Sequence, residues 1–128
     1  MTSTTAVPHR EPHNQTLGAY GESLAAEYLT GLGFHILERN WRTRAGELDL
    51  IARDRQTLVA IEVKTRSGTG YGNPLEAITA QKMLRLRHLL LDWAHETRAH
   101  GHGLRVDAVG ITLRANQTPR IDHLRGIS

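Results

Sequence analysis

The chain has 128 residues, no cysteine, 39% apolar residues and 16 basic against 13 acidic side chains, for a formal net charge of +3 and a pI of about 9.8. That length suits one domain around one core, the lack of cysteine excludes disulfides and thiolate metal sites, and the basic balance is compatible with a polyanionic partner. The first residues have no apolar signal core and no apolar run reaches membrane-spanning length, so a cytoplasmic protein with no membrane partner is expected.

Residues 1–14 are rich in Thr, Pro and His without periodicity and are expected to form a disordered tail, leaving 15–128 as a single α/β domain. His9 and His13 flank Pro12, which forbids a regular helix between them, so they read as solvated groups. From Thr16 to Leu32 the spacing of Leu17, Leu24, Ala25, Tyr28 and Leu32 predicts an amphipathic helix, with Gly33 as its stop. Glu22 falls at the edge of that stripe on the side of Leu29, and Glu27 toward the other edge.

Three strands follow. Phe34 to Trp41 alternates imperfectly, the segment Arg42 to Gly46 turns, and Glu47 to Arg53 alternates with Leu48, Leu50 and Ala52 on one face and Glu47, Asp49 and Ile51 on the other. The short turn at Asp54, Arg55 and Gln56 predicts an antiparallel hairpin into Thr57 to Thr65. There Val59, Ile61 and Val63 share one face, while Leu58, Ala60, Glu62 and Lys64 share the other. Apolar residues on both faces mark a central strand, so its two charges must be paired or bound to something.

The stretch Arg66 to Asn73 holds Gly68, Gly70 and Gly72 and reads as a loop; it lacks the ending of a nucleotide-binding fingerprint. A helix over Ile78 to Ala94 is predicted from Ile78, Leu86, Leu89, Leu90 and Trp93, with Asn73-Pro74 plus Glu76, or else Thr79, as its start. Lys82 lies within that apolar stripe and Gln81 beside it; a lysine so placed normally reaches out to water. Lys64 and Lys82 are the only lysines among the 16 basic residues. His95, His100 and His102 have no regular metal-ligand spacing and read as an exposed turn. Leu104 to Leu113 alternates as a further strand, parallel to the third through the helical crossover, with Arg114 to Arg120 as loop and Ile121 to Leu124 as a short edge element.

Twelve residues separate Asp49 from Glu62, and Glu62 and Lys64 point the same way. Two acids and a lysine converging on one sheet face can hold a divalent cation beside a phosphate, or can form an ion-pair cluster with no ligand. Paired carboxylates also serve glycoside hydrolysis, but aromatics make up only 5% of the chain and no sugar platform is visible.

The order helix, three strands, helix, strand, with GELDLIA, IEVKTR, PLEAI, QKMLRL and RVDAVGI at these spacings, resembles the YraN family of small bacterial proteins. Through its D-x12-E-V-K pattern it also resembles the P-D…(D/E)-x-K, restriction endonuclease-like nuclease superfamily. Leu48 stands where the motif's name has proline. The resemblance covers roughly Gly18 to Leu113 and implies an αβββαβ core, a mixed sheet flanked by helices. It implies Asp49 and Glu62 as metal ligands and Lys64, Glu22 and Gln81 as further catalytic residues; the near-octahedral oxygen coordination of such an ion adds the Val63 carbonyl as an expected ligand. The implied cofactor is Mg2+ or Mn2+, and the implied activity is hydrolysis of DNA phosphodiesters, at branched or single-stranded structures. The alternative is an inactive nuclease-fold module that binds nucleic acid or a protein partner. A homodimer is the oligomeric expectation.

Overall fold

Period-two alternation in four segments, and a fifth short one, builds a single five-stranded sheet in the order β1-β2-β3-β4-β5. A computed structural model describes residues 16–68 and 73–127. The tail expected over residues 1–14 and the glycines at 70 and 72 lie outside them. The elements are α1 (Leu17–Gly31), β1 (His35–Thr43), β2 (Gly46–Asp54), β3 (Thr57–Ser67), a 3-10 turn (Pro74–Ala77), α2 (Ala80–Thr97), β4 (Leu104–Leu113) and β5 (Arg120–Leu124). β1, β2 and β3 run antiparallel in series, β3 pairs with β4 in parallel, and β5 returns antiparallel along β4. This is the mixed α/β sheet expected from the sequence, with α2 as the crossover between parallel strands. Among the described residues no helix is long and apolar enough to cross a membrane.

The sheet is covered on both faces. Leu50, Ala52, Val59, Ile61, Val63, Val109 and Ile111 pack with Ala25, Ala26 and Leu29 of α1. Leu48, Ile51, Leu58, Ala60 and Val106 pack with Met83, Leu86, Leu89, Leu90 and Trp93 of α2. β3 contributes to both cores, which confirms its central place.

α1 differs from its expected face. The buried residues are Gly21, Ala25, Ala26 and Leu29; Leu17, Leu24 and Tyr28 pack only at the margin, and Leu32 is 49% exposed. The cause is close approach to β3. A Cβ on Gly21 would fall inside contact distance of the Thr65 side chain, so small residues carry the interface, and a pattern read from large apolar residues is rotated away from it. Gly21→Val is accordingly expected to cost about 1–3 kcal/mol through overpacking, read as a lower midpoint in urea; an unchanged midpoint would contradict this packing.

The two helix starts read as alternatives are both used. The Asn73 side chain accepts from Leu75 N–H at 2.9 Å and opens the 3-10 turn, while the Thr79 hydroxyl accepts from Lys82 N–H at 3.1 Å and caps α2. Ile78, placed in the helix by its apolar spacing, instead lies extended between them, with φ −88° and ψ 123°. β1 carries a bulge between Ile36 and Glu38, which explains its imperfect alternation.

Sequence reasoning passed over one buried polar network on the α1 side of β4. Asp107 is fully buried and accepts from Arg105 Nε at 2.9 Å and Nη2 at 3.1 Å, from Gly126 N–H at 2.9 Å, and from the His123 ring at 2.9 Å. An ionised carboxylate only accepts, so His123 Nε2 carries a proton toward Asp107, and Nδ1 on the other side of the ring shares a hydrogen bond with the Tyr28 hydroxyl at 3.1 Å. Arg105 also reaches Asp54 at 2.9 Å. The network ties β5 and the residues after it to α1 and β4.

Candidate active site

The strict alternation expected for β2 fails at one residue. Leu50 and Ala52 face the α1 core and Ile51 the α2 core, but Leu48 also joins the α2 core, where alternation would place it opposite. The break is at Asp49. The β2–β3 ladder runs from Asp54↔Thr57 to Leu50↔Ile61 and stops, whereas β2 keeps its pairing with β1 as far as Thr43↔Gly46. β2 thus stays with β1 and parts from β3 one step before Asp49 would have met Glu62.

Asp49 fills the gap. Its Oδ2 accepts from Val63 N–H at 2.9 Å, a side chain standing where a ladder partner would be. In an antiparallel strand the N–H and C=O of one residue face the same neighbour, so the Val63 carbonyl is directed to the same cleft. Glu62 is buried, at 5% exposure, and Lys64 beside it is half-buried. A cavity of about 390 Å3 opens here, lined by Glu47, Asp49, Glu62, Val63, Lys64 and Lys82 together with Arg85.

Charge is concentrated around Glu62. Lys82 Nζ is 2.6 Å from Glu62 Oε2, and Lys64 Nζ is 3.7 Å from the same oxygen. The hydrogen bond to Glu62 holds the Lys82 ammonium above its ordinary pKa, against the opposing effect of burial. Asp49 is pushed up to about 7 by burial first and then by the Glu62 charge, with the Val63 N–H pulling down and Glu22 pushing up. Glu22, half-buried on α1, is also raised, by burial and by Glu47 and Glu62, against a hydrogen bond from Asn40.

A raised carboxyl carries a sign for stability. The contribution of protonated Asp49 is fully present below about pH 4 and is lost as pH rises through about 7. Asn at that position keeps an acceptor for Val63 N–H and never charges. The metal-free Asp49→Asn chain is therefore expected to be more stable than the unsubstituted one above pH 7, by at least ~1 kcal/mol, with the gap closing toward pH 4. Thermal melts across that range check it; parallel pH profiles for the two chains would refute it.

Of the residues singled out from the sequence, the structure brings Asp49, Glu62, Val63 and Lys64 to one cavity and sets Glu22 close enough to feel Glu47 and Glu62. Gln81 is exposed at the head of α2 and is not among the residues lining the cavity; the next residue, Lys82, is. The signal for Lys82 was in the sequence, as one of two lysines in an arginine-rich chain, on an apolar stripe. Glu47 lines the cavity and makes an exposed 3.9 Å contact with Arg42. Arg85 had no sequence signal, because an exposed helical arginine is ordinary.

Among the described residues no three Asp, Glu or His side chains stand close enough to enclose a metal ion by themselves. The available donors are two carboxylates and a main-chain carbonyl, and this suits Mg2+ or Mn2+, which take few protein oxygens and keep several waters. A larger groove of about 550 Å3 lies where β3 and β4 begin and α2 ends, near His95 and His100, but no carboxylate lines it. His95, His100 and His102 are all exposed, as read from their spacing.

Comparison with known proteins matches this chain to a family described as "Uncharacterised protein family UPF0102" over residues 21–111, a span that holds every acid and lysine of the cleft. A UPF0102 protein of Rhodococcus opacus (strain B4) is 50% identical over 113 residues, covering 88% of this chain and 96% of the relative. Another, of Nocardioides sp. (strain ATCC BAA-499 / JS614), is 47% identical over 127 residues, covering 99% of both. A third, of Mycolicibacterium smegmatis (strain ATCC 700084 / mc(2)155), is 48% identical over 113 residues, covering 87% of this chain and 91% of the relative. With its αβββαβ order, its central charged strand and this similarity along most of its length, the chain belongs to the UPF0102, or YraN, family.

Proposed function

We propose that this chain is a metal-dependent endonuclease that hydrolyses DNA phosphodiester bonds, at branched or single-stranded structures. The observation that carries the reading is the parting of β2 from β3 at Asp49, which opens a polar cleft in the middle of an otherwise paired sheet and fills it with Asp49, Glu62 and Lys64. Buried charge is costly unless it is paired or bound, and a paired ladder with apolar residues would have closed the sheet more cheaply.

Asp49, Glu62 and the Val63 carbonyl would hold Mg2+ or Mn2+, and the ion would supply Lewis-acid polarisation of a phosphate oxygen and a more acidic water. Lys64 projects from the strand that carries Glu62 and supplies positive charge where negative charge builds on the phosphate. Glu22, whose carboxyl is raised by burial and by Glu47 and Glu62, would receive a proton or order a water at the α1 side. Arg85 at the mouth adds a group suited to backbone phosphate.

The test is a cleavage assay on duplex, single-stranded, flap and four-way-junction DNA with Mg2+ or Mn2+, alongside Glu62→Ala and Lys64→Ala. Cutting of none of these substrates, or cutting that both variants leave unchanged, would sink the enzymatic reading. A module that binds without cutting is the second reading. It draws on the 2.6 Å Lys82–Glu62 pair, which already neutralises one carboxylate. Salt-sensitive DNA binding with no cleavage would favour it.

A further inference from the structure

Lys82 is the third residue of α2, behind the Thr79 cap. An acid is the residue that suits this position, because it closes a capping box and faces the positive end of the helix dipole; a lysine there weakens the helix. Lys82 also precedes buried Met83 and sits on the stripe that faces the sheet. Helix formation and core packing both argue against it, so its interaction must lie elsewhere. That interaction is the 2.6 Å ion pair with Glu62 Oε2, whose side chain is 7% exposed.

We infer that Lys82 is a resident counter-cation for Glu62, which a divalent ion must displace when it enters the cleft. This rests on the metal-site reading given above. Lys82 and Lys64 both lie within 4 Å of one carboxylate oxygen, at 2.6 and 3.7 Å. A divalent ion added to that oxygen would be repelled by both ammonium groups at short range, so one has to leave. Lys64 is carried by the same strand as Glu62, two residues on, and stays near it. Lys82 comes from a different element on a flexible four-carbon stem, with 36% of its side chain exposed, and can swing to water. The consequence is a cleft whose buried Glu62 is neutralised before any metal arrives, at the expense of metal affinity.

Titration of Mn2+ into the full unsubstituted chain, Lys82→Met and Lys82→Arg, followed by calorimetry, tests this without any DNA. Removing a half-exposed ion pair that competes with the metal is expected to tighten Mn2+ binding in Lys82→Met by roughly tenfold, with no such gain in Lys82→Arg. In metal-free buffer Lys82→Met is expected to melt below the unsubstituted chain, and saturating Mn2+ is expected to raise its Tm by more than it raises that of the unsubstituted chain. Lys82→Gln serves the same comparison if Lys82→Met does not fold. Mn2+ affinity in the neutral variant equal to or weaker than that of the unsubstituted chain overturns the inference and leaves the metal site standing. Mn2+ binding by none of the proteins overturns both.

Discussion

Glu62→Ala is expected to lower metal-dependent DNA cleavage by about a thousandfold or more while changing DNA affinity little, and Lys64→Ala to lower it by about a hundredfold. Glu62 is the one acid of the cleft that is almost wholly buried, at 5% exposure, and it touches the cavity from the centre of the sheet. Its loss removes a ligand that the proposed ion needs in order to polarise phosphate, so the effect falls on turnover rather than on binding. The two partners left behind, Lys64 and Lys82, have side chains 38% and 36% exposed and can return to water, so no uncompensated buried charge remains. Single-turnover cleavage with matched melting curves for each variant separates lost turnover from lost stability. A Glu62→Ala chain that cuts within a few-fold of the unsubstituted rate would remove this residue from the chemistry.

Asp107→Ala is expected to act in the opposite way, costing about 3–5 kcal/mol of stability with no direct part in the chemistry. Asp107 is fully buried and its carboxylate is met by Arg105, His123 and Gly126 N–H, all within 3.1 Å. Removing it leaves the His123 ring, whose side chain is 7% exposed, and the Gly126 N–H without their acceptor, and leaves Arg105 with Asp54 alone. In a domain of this size that corresponds to a fall in Tm of roughly ten degrees or more. Burial opposes the charge of Asp107, yet hydrogen bonds from His123, Arg105 and Gly126 outweigh it and hold the carboxyl below its ordinary pKa. A depressed carboxyl contributes stability that is present above its unfolded pKa of about 4 and lost as pH falls through the lower folded value. The unsubstituted chain is therefore expected to lose stability in acid more steeply than Asp107→Asn does. Urea denaturation at pH 7 and at pH 3 measures both effects, and equal acid sensitivity in the two chains would count against this network.

Asp107, fully buried, and Asp49, half-buried, show how differently two acids can be used within one sheet. Asp107 is surrounded by donors and held ionised, so it fastens structure. Asp49 has one N–H donor and two acidic neighbours, and it is pushed up to about 7. On the proposed reading, a cation entering the cleft would relieve the unfavourable charge at Asp49, whereas Asp107 already has its donors.

Much of the architecture follows from local pattern. Alternation in Thr57 to Thr65 with apolar residues on both faces required a central strand, and the helical crossover required β4 to run parallel to it; both hold. The caps at Asn73 and Thr79 were readable because each side chain acts within three residues of itself. The face read for α1 holds at Ala25 but misses Gly21 and Ala26, which closeness of packing rather than apolar size selects, and at Gly21 that closeness depends on Thr65, far away in the chain.

The same division runs through the site. By itself the sequence determined that Glu62 and Lys64 share a face and that Asp49 stands on the neighbouring strand, because strand periodicity is a local property. Only the tertiary structure decided how they meet. Continued alternation would have paired Asp49 across from Glu62 in a closed ladder, whereas β2 leaves β3 at that step and the Asp49 carboxylate takes the Val63 N–H. It also decided that Lys82, not Gln81, reaches Glu62, since a rotation of one residue on α2 relative to the sheet is set by how Met83, Leu86 and Leu90 pack beneath it. Periodicity assigns a side chain to a face, but the distance between two charges depends on packing between elements remote in sequence.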